Sequence, residues 1–171
     1  MAEDTRAELS IIYALVEDRP GVLFKVTSLI RRRGFNIETI TVGSTEKERV
    51  SRITITTRGD ARIVEQLIKQ LDKIPEVMKI GELDLNDTVF RELAILKVSA
   101  QDSAKRQDIY NYISIFRAKV VDVSKDSLII EIVGNPKKIT AFLDLMKGYG
   151  IIELARTGIV ALPRGGKAGH D

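Results

Sequence analysis

Two short segments of the chain carry groups that could bind a small charged molecule. The first, residues 18–23, has the sequence DRPGVL and places a glycine at the start of a predicted helix. Because glycine lacks a Cβ, a ligand can approach the backbone there, and the free N–H groups of a helix start attract a carboxylate. Asp18 could accept from an ammonium group, and Asn36, in the second segment, offers a donor and acceptors. Together these groups could hold one small zwitterion.

Each of these features also has a purely structural interpretation. A Pro-Gly turn before a helix is common, so residues 18–23 could serve folding alone. Arg31, Arg32 and Arg33 could form a phosphate-binding patch, but we favour a solvated helix end, where the macrodipole favours cations. The local pattern alone therefore favours the structural interpretation in both cases.

Residues for other kinds of chemistry are scarce. The 171 residues include no cysteine, and the one histidine, His170, stands in the Gly-rich run 163–171, which we interpret as a flexible tail with a solvated histidine. The chain therefore lacks the histidine and cysteine residues that a His-based acid–base pair, a Cys nucleophile or a typical zinc site would need. We find no convergent set of carboxylates and lysines either, which argues against a small enzyme and against a metal site.

Composition predicts a globular protein of the cytoplasm. Hydrophobic residues make up 44% of the chain and charged residues 30%, with a net charge of +3. The sequence contains no apolar run of 18 residues and no basic, apolar leader, so we expect no membrane partner and no secretion. The small net charge also argues against a nucleic-acid partner.

The first half of the chain predicts a βαββαβ order. Strands are expected at residues 9–16, 36–44, 50–58 and 77–85. Apolar residues at helical spacing follow residue 22, with Asp18 or a neighbour as N-cap, Pro20 in the first turn and Gly34 as C-cap. A second helix opens at Gly59-Asp60 and stops at Pro75.

The second half repeats this order. Strands are expected at 93–100, 118–124, 127–133 and from 151, with helices at 105–116 and after Gly134-Asn135-Pro136. We therefore predict an α+β protein of two tandem ferredoxin-like domains, residues 8–85 and 93–164, followed by a tail, 165–171. Because each copy leaves edge strands unpaired, we expect a homodimer through the N-terminal copies.

An RNA-recognition motif shares the βαββαβ order and is the main alternative among binding modules. The tripeptide Arg33-Gly34-Phe35 imitates part of its signature. In that motif, however, the signature lies on the third strand and supplies aromatic side chains for stacking. The third predicted strand here, residues 50–58, has no aromatic residue, so RNA binding is disfavoured.

Blocks in both halves make the chain similar to one family. It resembles the small regulatory subunits of acetolactate synthase (acetohydroxyacid synthase), whose N-terminal half is an ACT domain. The blocks of the first half are 16–23 (VEDRPGVL), 32–38 (RRGFNIE), 41–43 (TVG), 51–55 (SRITI) and 64–73 (VEQLIKQLDK). Those of the second half are 91–93 (REL), 115–118 (IFRA) and 153–158 (ELARTG). The resemblance spans residues 8–164.

The resemblance implies a regulatory role without catalysis. In this family a separate large subunit carries thiamine diphosphate, magnesium and FAD and makes acetolactate from pyruvate. The small subunit activates it and confers feedback inhibition by valine or a related branched-chain amino acid, in branched-chain amino acid biosynthesis. We therefore expect no cofactor in this chain, the large subunit as partner, and valine as effector.

The resemblance also implies where the effector binds. In the family the site lies between two N-terminal ACT domains, with a loop from one subunit and an asparagine from the other. The matching residues here are Asp18, Pro20, Gly21, Val22, Leu23, Asn36 and Ile37. The family often has asparagine where this chain has Asp18, which keeps an acceptor and loses a donor. The second half lacks a Pro-Gly turn in its equivalent loop, 101–105, so we expect no amino acid there.

Overall fold

The computed structural model describes residues 9–166. Within that range the chain divides into two compact units, residues 9–89 with 158–166, and residues 90–157. The predicted α+β class and the repeated βαββαβ order are confirmed. His170 and most of the predicted tail lie outside the described residues.

The first unit is a four-stranded antiparallel sheet with two helices on one face. The strand order is β2-β3-β1-β4. Its strands are β1 (Leu9–Glu17), β2 (Thr39–Ser44), β3 (Val50–Arg58) and β4 (Val77–Leu83), and its helices are α1 (Val22–Arg33) and α2 (Ala61–Leu71). A 3₁₀ turn, Leu85–Asp87, follows β4.

The core of this unit lies between the helices and one face of the sheet. Alternate residues of β1 and β3 point into it because strand side chains alternate between faces, and the helices supply one apolar stripe each. The buried core residues are Ile12, Ala14, Val16, Val22, Val26, Ile30, Ile53, Ile55, Val64, Leu67, Leu71 and Ile74. Both ends of α1 are therefore packed against the core, through Val22 near its start and Ile30 near its end.

The second unit repeats the arrangement with strand order β6-β7-β5-β8. Its strands are β5 (Thr88–Ser99), β6 (Lys119–Val123), β7 (Ser127–Gly134) and β8 (Ile151–Arg156), and its helices are α3 (Ser103–Phe116) and α4 (Pro136–Lys147). Phe142, Leu96, Ile109 and Met146 are fully buried at its centre. This unit thus has a core of its own.

The C-terminal segment differs from the sequence prediction. A final strand, β9 (Val160–Pro163), does not continue β8, and residues 158–164 pack with the first unit rather than with the second. The Arg164 N–H donates to the Asp87 carbonyl at 2.8 Å, and Ile159 and Ala161 are buried. Local patterns could not reveal this return, because it depends on pairing between residues far apart in the chain.

Two strand starts also differ. β2 begins at Thr39 rather than at residue 36, and β5 begins at Thr88 rather than at residue 93. Asn36 and Ile37 are consequently loop residues. Residues 86–92, which lie between the two predicted domains, instead include part of the 3₁₀ turn and the start of β5.

Candidate effector site

The loop between β1 and α1 is anchored through Asp18 and Arg19. The Asp18 N–H donates to the Arg49 carbonyl at 2.8 Å, which fastens the loop to the β2–β3 hairpin. Arg19 forms ion pairs with Glu17, at 2.9 Å, and with Glu76, at 3.3 Å. The side chains of Asp18 and Pro20 remain exposed. This geometry presents an acceptor, the Asp18 carboxylate, on a loop of defined shape.

Helix α1 starts without a side-chain cap. Its N-cap is Gly21, in the left-handed region at φ 90°, and no side chain accepts from the first turn. The other three α-helices of the described chain are each capped, by Asp60, Asp102 and Asn135. The expected capping by Asp18 and the expected place of Pro20 inside the first turn are therefore wrong. The chain reaches the helix through a glycine with positive φ, so Asp18 lies too early to cap it.

The uncapped start leaves backbone donors available. The Val22 N–H makes only a long contact of 3.4 Å with the Arg19 carbonyl, beyond the usual range for such a bond. The N–H groups of Leu23 and Phe24 have no hydrogen-bond partner among the described residues. A Cβ built on Gly21 would meet nothing within 4 Å. Open space thus lies next to free donors at the positive end of a helix, which suits a carboxylate.

The apolar residues of the loop divide into two kinds. Val22 is 3% exposed and its side chain is part of the core, so only its backbone can face a ligand. Leu23 is 44% exposed and can offer apolar surface. A ligand side chain therefore cannot rest against the side chain of Val22. Leu23 and Ile37, which is half-buried, remain for that role.

A buried carboxylate lies beneath this loop and was not predicted. Glu76 is 5% exposed, and its Oε1 atom accepts from both Lys25 and Arg19. The hydrogen bond from Lys25 is the main cause that lowers the Glu76 pKa. No local pattern in the sequence signals this cluster, because Glu76 is 51 residues from Lys25 and 57 from Arg19.

Asn36 and Ile37 follow the other end of α1. Gly34 caps the helix in the left-handed region at φ 69°, as predicted, and its N–H donates to the carbonyls of Ile30 and Arg31. The Asn36 carbonyl accepts from the Thr57 hydroxyl at 2.7 Å, which fixes the backbone. Asn36 itself is exposed, whereas Ile37 packs against the core. The backbone at Asn36 is therefore held in place, and its side-chain amide is exposed.

Within one chain these two groups of residues are far apart. Helix α1 has 12 residues, which at about 1.5 Å per residue is roughly 18 Å. Strand pairing gives a second estimate of this distance. Thr56 of β3 lies opposite both Ile11 and Thr39, which is close to Asn36, and Val50 of β3 lies opposite Glu17, where the loop begins. The six residue steps from Val50 to Thr56 span about 20 Å. One amino acid is far shorter than this, so a single chain does not bring residues 18–23 and Asn36 to one ligand.

The corresponding loop of the second unit is built differently. Asp102 caps α3 by accepting from the Lys105 N–H at 2.7 Å. The Asp102 side chain thus binds the first turn of α3, whereas no side chain binds the first turn of α1 next to Gly21. The prediction that no amino acid binds there agrees with this geometry and stays a prediction.

Two further features are absent from the described residues, a cluster of metal ligands and a membrane-spanning helix. No group of three or more His, Cys, Asp and Glu residues between 9 and 166 is placed to hold a metal ion. In the same range, no helix is long and apolar enough to cross a membrane.

Comparison with known proteins gives the same answer for both halves. Residues 12–79 match the family model described as AHAS small subunit-like ACT domain, and residues 91–165 match the one described as small subunit of acetolactate synthase. A probable acetolactate synthase small subunit from Archaeoglobus fulgidus is 53% identical over 91% of this chain and 97% of its own length. The acetolactate synthase small subunit of Mycolicibacterium smegmatis is 48% identical over 88% of each chain.

A solved structure extends the likeness to three dimensions. The crystal structure of the acetolactate synthase small subunit from Thermotoga maritima has a TM-score of 0.86 and 41% identity, covering 94% of this chain and 99% of that one. The predicted resemblance is confirmed by these matches across both halves. This chain belongs to the small-subunit family of acetolactate synthase, the non-catalytic regulatory subunits of a transferase.

Proposed function

We propose that this chain activates a catalytic large subunit of acetolactate synthase and subjects it to feedback inhibition by valine or a related branched-chain amino acid. Family membership and the ACT domain support the regulatory role. The proposal places thiamine diphosphate, magnesium and FAD on the large subunit, and the complex in the cytoplasm. Feedback of this kind would lower the production of branched-chain amino acids when they are already abundant.

The uncapped start of α1 is the observation that carries the effector proposal. We assign the valine carboxylate to the free N–H groups at Leu23 and Phe24, where the helix dipole favours an anion. The ammonium group lies near the exposed carboxylate of Asp18. The isopropyl group contacts Leu23, and the absence of a Cβ at Gly21 leaves the approach open. Valine then completes the first turn as a capping side chain would.

A second copy of the chain completes the proposed site. Because residues 18–23 and Asn36 lie at opposite ends of α1, Asn36 must come from a facing subunit. Two antiparallel α1 helices related by a twofold axis would place the start of each beside the end of the other. Each dimer then has two equal sites, and Ile37 of the facing subunit adds apolar surface.

A competing explanation is that this corner serves only as a dimer contact. Its loop and the Asn36 side chain would then touch the facing subunit without a ligand. Substitutions there would weaken dimerisation and activation together. The effector proposal expects the two properties to separate instead, because folding and assembly do not depend on valine.

The test is to assay the reconstituted complex for activation and for valine inhibition with two substituted chains. We expect Asn36→Ala to raise the inhibitory valine concentration about 5- to 150-fold, since losing a partner of a buried polar group costs about 1–3 kcal/mol. Gly21→Asp puts a side chain and a negative charge in the ligand's approach and should abolish inhibition. Both chains should still activate the large subunit.

Matched controls separate the site from general damage. Asn111→Ala removes an exposed asparagine from α3 in the second unit, and Gly165→Asp adds the same side chain at another glycine with positive φ. Both should inhibit normally. The proposal fails if valine inhibition persists at Asn36→Ala and Gly21→Asp while activation falls.

A further inference from the structure

A groove of about 510 Å³ runs along the outer side of α1, next to the chain that follows α2. Its apolar lining comes from Phe24, Leu29, Ile74 and Pro75, and its basic lining includes Arg32 and Lys73. All of these residues belong to the first unit. The groove is distinct from the effector loop, although α1 borders both.

The side of α1 that faces the groove carries three regularly spaced residues that do not belong to the hydrophobic core. Phe24, Ser28 and Arg32 recur at intervals of four and so share one face of the helix. The core stripe, Val22, Val26 and Ile30, lies on another face. Phe24 is 72% exposed, a large apolar side chain left in water by the fold of this chain. Exposed aromatic residues of this kind are enriched where proteins bind partners.

The charges along the groove have one sign. Arg32 and Lys73 form no ion pair with any described residue. The other cation of the lining, Lys25, is paired with the buried Glu76. An apolar floor with two unpaired cations on its rim complements a segment that has apolar and acidic side chains.

We propose that this groove docks an apolar segment of the catalytic large subunit whose flanking residues are acidic. The inference rests on the activating role proposed above, since activation requires a contact with that subunit. Phe24 and the apolar floor supply the buried centre of the contact, and Arg32 and Lys73 its charged rim. A surface of this composition binds its partner more weakly as salt concentration rises.

The same geometry gives a physical link between effector and partner. Arg19 of the effector loop and Lys25 of the groove both donate to the Oε1 atom of Glu76. The helix that starts at the effector loop also forms one wall of the groove. A ligand that fixes the first turn of α1 would therefore alter the groove surface that binds the large subunit. No other segment of the chain would need to move.

The experiment titrates the full-length chain against its own purified large subunit and measures acetolactate formation. We expect Phe24→Glu, and separately Arg32→Glu with Lys73→Glu, to raise the concentration for half-maximal activation at least tenfold. Because these side chains are exposed, the variants should melt at the wild-type temperature. Valine binding to the isolated chain, measured by calorimetry, should be unchanged in the variant with Arg32→Glu and Lys73→Glu, because neither residue belongs to the proposed effector site.

The controls keep the two proposals separable. Arg31→Glu changes the same charge in the same helix turn outside the groove, and Ile63→Glu adds a charge at an exposed apolar residue of α2; both should activate normally. Unchanged activation by the groove variants, or an equal loss with Arg31→Glu, would overturn the docking site. Absence of valine binding to the wild-type chain would refute the effector proposal alone, because the titration needs no valine.

Discussion

At the scale of single residues, Glu76 is the one buried charged residue among the described residues of the first unit. It is almost fully buried, and two cations from the effector side share one of its oxygens, while its Oε2 atom has no partner among the described residues. Burial alone would raise its pKa, but the hydrogen bond from Lys25 dominates and the pKa is lowered. The folded state therefore holds the carboxylate in its charged form.

Replacing this carboxylate should show a dependence on pH with a definite sign. A group whose pKa is lowered by folding contributes stability above its unfolded pKa, here about 4.5, and loses it as pH falls through the folded value. Glu76→Gln should therefore lower the melting temperature at pH 7, and the difference from wild type should shrink below pH 4.5.

The control for this prediction is Glu65→Gln. Glu65 pairs with Lys69 on the surface of α2, where an ion pair contributes little. Thermal melts of the three proteins across pH should show a loss at Glu76 only. A constant deficit for Glu76→Gln at every pH would mean that packing of the side chain, rather than its charge, is what stabilises the unit.

At the scale of elements, the C-terminal segment is fitted closely against the first sheet. Gly158 lies over Thr39 and Thr41, on the face opposite the helices, because their neighbour Ile40 packs against the core. A Cβ built on Gly158 would overlap Thr41 Oγ1 and come within 3.0 Å of the Thr39 Cβ. The segment thus requires a residue without a side chain at this point.

This contact predicts a clear difference between two glycines. Gly158→Ala should lower the free energy of unfolding by about 1–3 kcal/mol, the usual cost of overpacking. Gly43→Ala, on the same strand as both threonines, has nothing within 4 Å of its Cβ and should have little effect. Urea denaturation at equilibrium measures both. Equal stability of the two variants would show that the segment can move away from β2.

The elements also show where local sequence patterns suffice. Gly34, Asp60 and Asn135 cap their helices as predicted, because a cap depends only on residues within a few positions. The repeated order of elements followed from hydrophobic periodicity in the same way. Local patterns singled out Asp18, Gly21 and Asn36 for the proposed effector site, and the family resemblance implied its other residues.

What the sequence did not reveal depends on distant partners. The packing of Gly158 against Thr39 and Thr41 joins residues more than a hundred positions apart, and the hydrogen bond from Arg164, next to β9, to Asp87 joins residues 77 positions apart. The Glu76 cluster likewise joins the effector loop to the segment after α2. The absence of a cap at α1 was missed for a different reason: Asp18 is a good capping residue, but it precedes the helix by four positions.

At the scale of the whole molecule, the two units share an order of elements but only one offers a free helix start. The second unit has its own core and a capped α3, so it needs no ligand to complete its first turn. The first unit leaves both the start of α1 and the edge strand β2 open. The proposed effector site thus belongs to one of two similar units.

The edge strand β2 leads to the last prediction, which concerns assembly. In the order β2-β3-β1-β4 the free edges are β2 and β4, and α1 connects β1 to β2. Pairing of two β2 strands around a twofold axis would make one continuous sheet and bring the two α1 helices together. We therefore expect a dimer at micromolar concentration that forms through β2.

Val42 on β2 and Met78 on β4 give a matched test of this arrangement. Both are exposed apolar residues, 43% and 61% exposed, on opposite edges of the same sheet. Val42→Lys would bring two like charges close to the twofold axis and should dissociate the dimer in sedimentation velocity, whereas Met78→Lys should not. Because the proposed effector site takes Asn36 from the facing subunit, Val42→Lys should also lose valine binding, while Asn36→Ala should weaken binding and remain dimeric. A monomer from Met78→Lys, or valine binding by monomeric Val42→Lys, would show that the site and the dimer are arranged differently.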